Sequence, residues 1–351
     1  MIHESERAVA GHDIIVVGAS AGGVEALMKL AGNLPRDLPA SVFMVLHIPP
    51  EAPSVLPGIL GRSGILPVAH PEDGDKIKQG RIYVAPPDFH MLLEDGRVRL
   101  ARGPRENRHR PAVDPLFRSA AVAYGPRVVG VVLTGALDDG AVGLRSVKVR
   151  GGKAVVQDPE DALYPGMPSS AIRTTQVDHI LPLKAIPPML VRLVHQEAED
   201  ESRYPLHGEL EIEAKMADMQ TNNLENLQQL GAVPSVFSCP ECHGTLWEMR
   251  SGDFLRFRCQ VGHAYSAESM LADQSDAVER ALWASLRALE ERSELMRRLA
   301  VRSANHNSHH AATRFTRAAQ ETEQHVAVVK GILESNGYHP EDQAELEDVG
   351  S

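Results

Sequence analysis

The sequence predicts a doubly wound, mostly parallel α/β domain over residues 13–196, followed by a small metal-binding unit and an α-helical hairpin. Three observations point there. Short apolar runs rich in Val and Ile (DIIVVG, SVFMVLH, RIYVAPP, RVVGVVLTG, KAVVQD and DHILPL) alternate with amphipathic stretches, the pattern of a parallel sheet covered on both faces. All three cysteines lie between positions 239 and 259. Beyond them, two long stretches repeat apolar residues three, four or seven apart.

A chain of 351 residues exceeds what one hydrophobic core usually organises. The expected order is an N-terminal tail (1–12), the α/β domain (13–196) and an acidic and polar linker (197–234). A zinc knuckle (235–266), a helical hairpin (267–336) and an acidic tail (337–351) complete it. Within the α/β domain, Asp114 followed by Pro115 reads as an N-cap with proline at the first helical position. The acidic stretch EAEDESRYPLHGELEIEAK and the polar TNNLENLQQLGAVPS supply the linker, part of it helical. In the hairpin, Leu282, Leu286, Leu289, Met296 and Leu299 line one helix; Phe315, Ala318, Ala319, Val326, Val329 and Leu333 line the other. The polar break Asn305 to His310 turns the chain back.

Composition excludes several classes. Hydrophobic residues make up 43% and charged residues 24%, ordinary values, and no run approaches the roughly 20 apolar residues of a membrane span. Membrane insertion is not expected. The opening MIHESERAVAGHD has no apolar run, so no secretory signal is read there and a cytoplasmic location is expected. With 36 basic against 47 acidic residues the net charge is −11, which argues against nucleic acid as a partner.

The segment VVGASAGGVEALMKL sets Gly18-Ala19-Ser20-Ala21-Gly22-Gly23 between the first strand and a helix. It satisfies G-x-S-x-G, a turn that exposes a nucleophilic hydroxyl close to helix-start N–H groups able to face an oxyanion. The competing reading is a phosphate or dinucleotide loop, which would make the protein an oxidoreductase. Ser20 stands where that loop's middle glycine should be, and His47, at the end of VLHIPP, replaces the acidic ribose ligand. His47 on the same sheet edge would serve as general base. Asp139, ahead of Gly140 in LTGALDDGAVGL, would orient it, with Asp138 the competitor that spacing alone does not exclude.

The run from Asp13 to about Arg192 resembles the catalytic domain of CheB-type chemotaxis methylesterases. The resemblance rests on GASAGG, LHIPP, GRIYVAPPDFHMLL, NRHRPAVDPLFRSAA, LTGALDDGAVGL and YPGMPSSA, in the family's order. It implies hydrolysis of glutamate methyl esters on chemoreceptor-type proteins, with release of methanol, deamidation of receptor glutamines as a second activity, and no catalytic cofactor. It also implies Ser20 as nucleophile, His47 as base, Asp139 as triad acid, and backbone N–H groups near Ala21 and Ala136 as oxyanion donors. Family members commonly have threonine after the nucleophile and Met-Gly before the acidic turn; this chain has Ala21 and Ala136-Leu137. Only residues 1–12 stand ahead of the first strand, so control by a phosphoacceptor domain of the same chain is not expected.

Arg102, Arg105, Arg108, His109 and Arg110 form a local positive patch, with Arg108, His109 and Arg110 as candidate substrate-binding residues by the same resemblance. The spacing Cys239-x2-Cys242-x16-Cys259-x3-His263 suits a structural, tetrahedral zinc site, His243 being the alternative fourth ligand. The C-terminal helices are surfaces for self-association or for a signalling partner. The alternative to an esterase is an adaptor that uses an esterase-like domain to bind receptor helices without turnover.

Overall fold

The computed structural model describes residues 11–50, 54–218, 223–251 and 254–335. The expected tails, residues 1–12 and 337–351, fall almost wholly outside them. The exceptions are Gly11, which bridges to Glu197, and His12, which is buried.

The first half alternates strand and helix: β1 (Ile14–Ala19), α1 (Gly23–Gly32), β2 (Ser41–Leu46), α2 (Leu56–Ser63), β3 (Val68–Ala69) and β4 (Arg81–Val84). A hairpin, β5 (His90–Glu94) and β6 (Arg97–Ala101), precedes α3 (Val113–Tyr124). Alternation then resumes through β7 (Val128–Val132), α4 (Ala141–Val149), β8 (Lys153–Gln157), α5 (Gly166–Thr174), β9 (His179–Leu181) and α6 (Ile186–Val194). The seven-stranded sheet runs β3-β4-β2-β1-β7-β8-β9, with every neighbouring pair parallel. Every residue of β1 and of β2 is buried, because helices cover both faces. Ile15 and Val17 pack with Leu27, Leu30 and Leu190 on one face; Ile14 and Val16 pack with Phe117, Leu144 and Val147 on the other.

The strand order reverses direction at β1, whose neighbours are β2 and β7. Such a switch point opens a crevice at the carboxyl ends of the strands, where α/β folds bind ligands.

The expected linker departs from a solvated connector. It holds α7 (Gly208–Met216) and α8 (Asn223–Gln229), and α7 buries Glu213 and Met216. The cysteine-containing segment is an antiparallel sheet, the ribbon, of β10 (Val233–Ser238), β11 (Thr245–Ser251), β12 (Phe254–Cys259) and β13 (Ala264–Ser266). The long helix α9 (Ala267–Asn305) follows, then α10 (His309–Ser335). Residues 271–335 are a separate unit, in which Lys330 pairs with Glu290 and Arg297 with Glu323 as α10 folds back along α9.

A buried ionic cluster joins the ribbon to the α/β domain. Arg118 of α3 donates to both oxygens of Glu106 at 2.8 Å, and Arg258 of β12 donates to Glu106 at 3.0 Å. Arg256 of β12 grips Glu213 with two hydrogen bonds of 2.6 and 2.7 Å. Burial alone would raise the Glu106 carboxyl, but the Arg118 and Arg258 guanidinium groups outweigh it and hold Glu106 at about 2. Its stabilising contribution is therefore complete above the ordinary glutamate range and is lost as pH falls toward 2.

Glu106→Gln should destabilise the protein at neutral pH by about 3–5 kcal/mol, the usual cost of leaving buried partners unpaired. It should also flatten the fall of the urea midpoint between pH 5 and pH 2. A variant as acid-sensitive as wild type would contradict the assignment.

Candidate functional site

Three adjacent strands, β2, β1 and β7, bring their carboxyl ends together, and each leads into one of the candidate residues. Ser20 follows β1 in a turn where its N–H donates to Thr134 O at 3.0 Å and its carbonyl accepts from Gly23 N–H at 2.9 Å. His47 follows β2, its N–H donating to Ala19 O at 3.3 Å. Asp139 lies in the turn between β7 and α4, just ahead of Gly140, whose φ of 93° needs the freedom of glycine.

The side chains meet in a line. His47 Nδ1 lies 3.0 Å from Ser20 Oγ, and His47 Nε2 lies 2.7 Å from Asp139 Oδ2. An ionised carboxylate only accepts, so the proton on His47 belongs on Nε2. Nδ1 then presents its lone pair to the serine hydroxyl, which donates to it. His47 and Asp139 are nearly inaccessible, with side-chain exposures of 5% and 3%.

Asp139 has further partners. Its Oδ2 accepts from Val113 N–H at 2.6 Å; its Oδ1 accepts from Asp114 N–H at 3.2 Å and from Asn107 Nδ2 at 3.0 Å. Burial pushes this carboxyl up, yet the bonds and charge of His47, with Val113 and Asn107, hold it well below the ordinary range. Asp114 does not cap its own helix as the local pattern predicts. Helix α3 starts at Val113, and Asp114 Oδ1 instead accepts from Gly140 N–H at 3.0 Å and Gly143 N–H at 2.7 Å, at the start of α4. Asp139 and Asp114 thus cap each other's helices. Burial, together with the nearby Asp139 charge, pushes Asp114 up to about 8.

Asp138, the competitor to Asp139, points away from His47. It accepts from Ser266 Oγ at 2.7 Å, and burial raises it to about 7.

The serine opens onto a cleft of about 460 Å³, walled by Ile48, Pro49, Arg105, Arg108, His109 and Arg110. The three candidate substrate-binding residues differ in circumstance. His109 lies flat on His47, ring centroids 3.6 Å apart, and burial beside that ring pushes it down to about 3, so it stays neutral. Arg110 is committed to Asp88 and to Gly103 O, while Arg108 lines the cleft. The N–H groups of Ala21 and Ala136 have no acceptor among the described residues, and both lie in turns beside Ser20 and Asp139.

Residues 15–190 match the CheB methylesterase family. The chain belongs to that family. The CheB catalytic domain of Thermotoga maritima, a crystal structure, is 37% identical with a TM-score of 0.50; the match covers 53% of this chain and 100% of that one. A protein-glutamate methylesterase/protein-glutamine glutaminase of Methanosarcina mazei is 37% identical over 190 residues, covering 52% of each chain. One of Anaeromyxobacter dehalogenans is 43% identical over 184 residues, covering 51% of each chain. This chain therefore spans about half the length of these curated relatives. The ribbon lies outside the CheB segment.

In the ribbon, Cys239 and Cys242 occupy the turn between β10 and β11, Cys259 ends β12, and His263 lies in the turn that leads to β13. Cys242 Sγ lies 3.6 Å from Cys259 Sγ, and His263 Nδ1 lies 3.7 Å from Cys239 Sγ and 3.6 Å from Cys259 Sγ. All four ligand atoms fall within 4.8 Å of one another. Tetrahedral zinc, with bonds of about 2.3 Å to sulfur and about 2.0 Å to nitrogen, calls for such separations. His243 is not in the cluster. The donor set fits a metal closed off by protein ligands. Protein purified without chelator should carry about one equivalent of zinc, and less than about half an equivalent would overturn the assignment.

Proposed function

We propose that this chain is a protein-glutamate methylesterase of chemoreceptor-type proteins, with protein-glutamine deamidation as a second activity. Ser20 is the nucleophile, His47 the general base and Asp139 the residue that orients it. The observation that carries this reading is the unbroken line from Ser20 Oγ through His47 to Asp139, ending at an open cleft. No cofactor enters the chemistry.

In this mechanism Ser20 Oγ attacks the ester carbonyl carbon while His47 Nδ1 takes the hydroxyl proton. The carbonyl oxygen becomes an oxyanion facing the N–H groups of Ala21 and Ala136. As the intermediate collapses, the bond to the methoxy oxygen breaks and His47 returns its proton to that oxygen, releasing methanol. Water then attacks the acyl-serine, His47 again accepts the proton, and Ser20 leaves carrying it back, freeing the glutamate. The Asp139 carboxylate stays ionised and stabilises the imidazolium in each half-reaction. Arg108 and the stacked His109 are the cleft residues assigned to the substrate, with Arg110 bracing the wall on which they sit.

Zinc in the ribbon supplies fold stability and no chemistry, since four protein ligands leave no open position. A thiolate site also needs reduced cysteines, in keeping with a cytoplasmic location. The net charge of −11 and the receptor substrate assign this protein to signalling and not to nucleic acid.

Wild-type protein should release methanol from methyl-esterified receptor, and Ser20→Ala should lose at least about a thousandfold of that rate. A fluorophosphonate should label wild type at Ser20 and fail on His47→Ala. Folded wild-type protein that neither labels nor releases methanol would favour the non-catalytic adaptor.

A further inference from the structure

The ribbon reaches the triad through one side chain, Asn107, which sits between the two. Its Nδ2 carries two hydrogens and stands 3.0 Å from Asp139 Oδ1 and 3.0 Å from Asp114 Oδ2. Its Oδ1 accepts from Ser266 N–H at 3.0 Å and from Ser269 Oγ at 3.2 Å. Both donors and both acceptor positions of the amide are thereby used. The reversed amide would set its oxygen against the ionised Asp139 carboxylate and its NH₂ against the Ser266 N–H, which can only donate. The Ser266 N–H, 159 residues further along the chain, therefore fixes which way Asn107 faces, and the Ser269 hydroxyl, 162 residues along, supports it.

The same segment also holds the backbone beneath Asn107. Asn107 N–H donates to Ala264 O at 2.8 Å, and Ala264 N–H donates to Arg105 O at 3.2 Å. Ala264 directly follows the metal-ligand candidate His263, and Arg105 pairs at 3.1 Å with Glu241, which lies between Cys239 and Cys242. Ser266 Oγ holds Asp138, the residue before the triad acid, and both serines are buried. These contacts run from the ribbon, or from Ser269 in the first turn of α9, to the loop carrying Asn107, Arg108 and His109, or to the turn carrying Asp139.

We propose that the metal-holding ribbon completes the esterase site, with Ser266 and Ser269 as positioning residues that orient Asn107 and, through it, the Asp139 carboxylate. This rests on the esterase reading above. Without an ordered ribbon the Asn107 amide loses the Ser266 N–H that fixes it and the loop its backbone partners. Asp139 then keeps its charge and its bonds to the Val113 and Asp114 amides but loses one of the hydrogen bonds that hold its direction toward His47. Occupancy of the Cys239, Cys242, Cys259 and His263 cluster thereby governs turnover at a serine that the metal never touches.

The test uses the full chain as wild type, as the Ser266→Ala/Ser269→Ala double variant, and as wild type stripped of zinc by a chelator and then reloaded. Readouts are zinc content, hydrogen–deuterium exchange over residues 105–114, and kcat and KM on a methyl-esterified glutamyl peptide. The double variant keeps the Ser266 N–H and loses the Ser269 hydroxyl that meets Asn107 and the Ser266 hydroxyl that holds Asp138. It should keep its zinc and its KM while kcat falls about tenfold, as expected for a misdirected catalytic group. Exchange at the Val113 and Asp114 amides, which donate to Asp139, should rise with it. Stripping zinc should raise exchange across 105–114 by at least about tenfold, and reloading should reverse it. A ribbon that loses zinc while 105–114 keeps its protection would overturn the proposal, as would a double variant with wild-type kcat. Should wild type prove inactive on the ester, the function reading falls, and the exchange response to zinc still decides whether ribbon and loop are coupled.

Discussion

A carboxylate as deeply buried as that of Asp139 would cost several kcal/mol if left without partners. Its partners come from four places: His47 beyond β2, the first N–H groups of α3, the Asn107 side chain and, through that side chain, the ribbon. Each partner is tied down by the same carboxylate. The start of α3 exposes N–H groups that need an acceptor and a dipole that favours negative charge there. Asp139 supplies both, and Asp114 supplies the acceptor oxygen for α4. Two helices that cap each other through crossed aspartate side chains cannot shift independently, so the turn that aims Asp139 at His47 is fixed by packing as well as by hydrogen bonds.

That exchange explains why the neighbourhood tolerates little added bulk. A Cβ on Gly18 of β1 would come within 2.3 Å of Val113 Cγ1, a β-branched side chain with little room to turn. Val113 is the residue whose N–H meets Asp139. Gly18, two residues ahead of the nucleophile, therefore serves the acid, by letting α3 approach the sheet. His109, flat against the His47 ring and kept neutral by burial, seals the base from the other side without adding a second positive charge.

The sheet was legible because fully buried parallel strands read as unbroken apolar runs, and the strand ends carrying Ser20, His47 and Asp139 followed from it. Partners distant in sequence were not legible. Asp114 before Pro115 looks like a local cap, yet its acceptor oxygen serves a helix that starts 27 residues later. Glu213 sits in a segment acidic enough to pass for a linker; it is buried because Arg256, far along the chain, pairs with it. Asn107 looks like a loop residue, and nothing near it in sequence announces that Ser266 and Ser269 complete its hydrogen bonds. The arginine cluster reads as a free positive patch, whereas Arg110 and Arg105 are spent on Asp88 and Glu241. The β5–β6 hairpin did carry a local signal, Asp95-Gly96 between its strands, with Gly96 at φ 71°.

The central claim is that a buried, ionised Asp139 selects one tautomer of His47, with the proton on Nε2 and the lone pair of Nδ1 toward Ser20. Nitrogen-15 NMR of histidine-labelled full-length protein at neutral pH reads this directly, with His47→Ala assigning the signal. The account predicts a ring proton on Nε2, with a far-downfield signal that disappears in Asp139→Asn. A ring protonated at Nδ1, or a signal unchanged by Asp139→Asn, would contradict it.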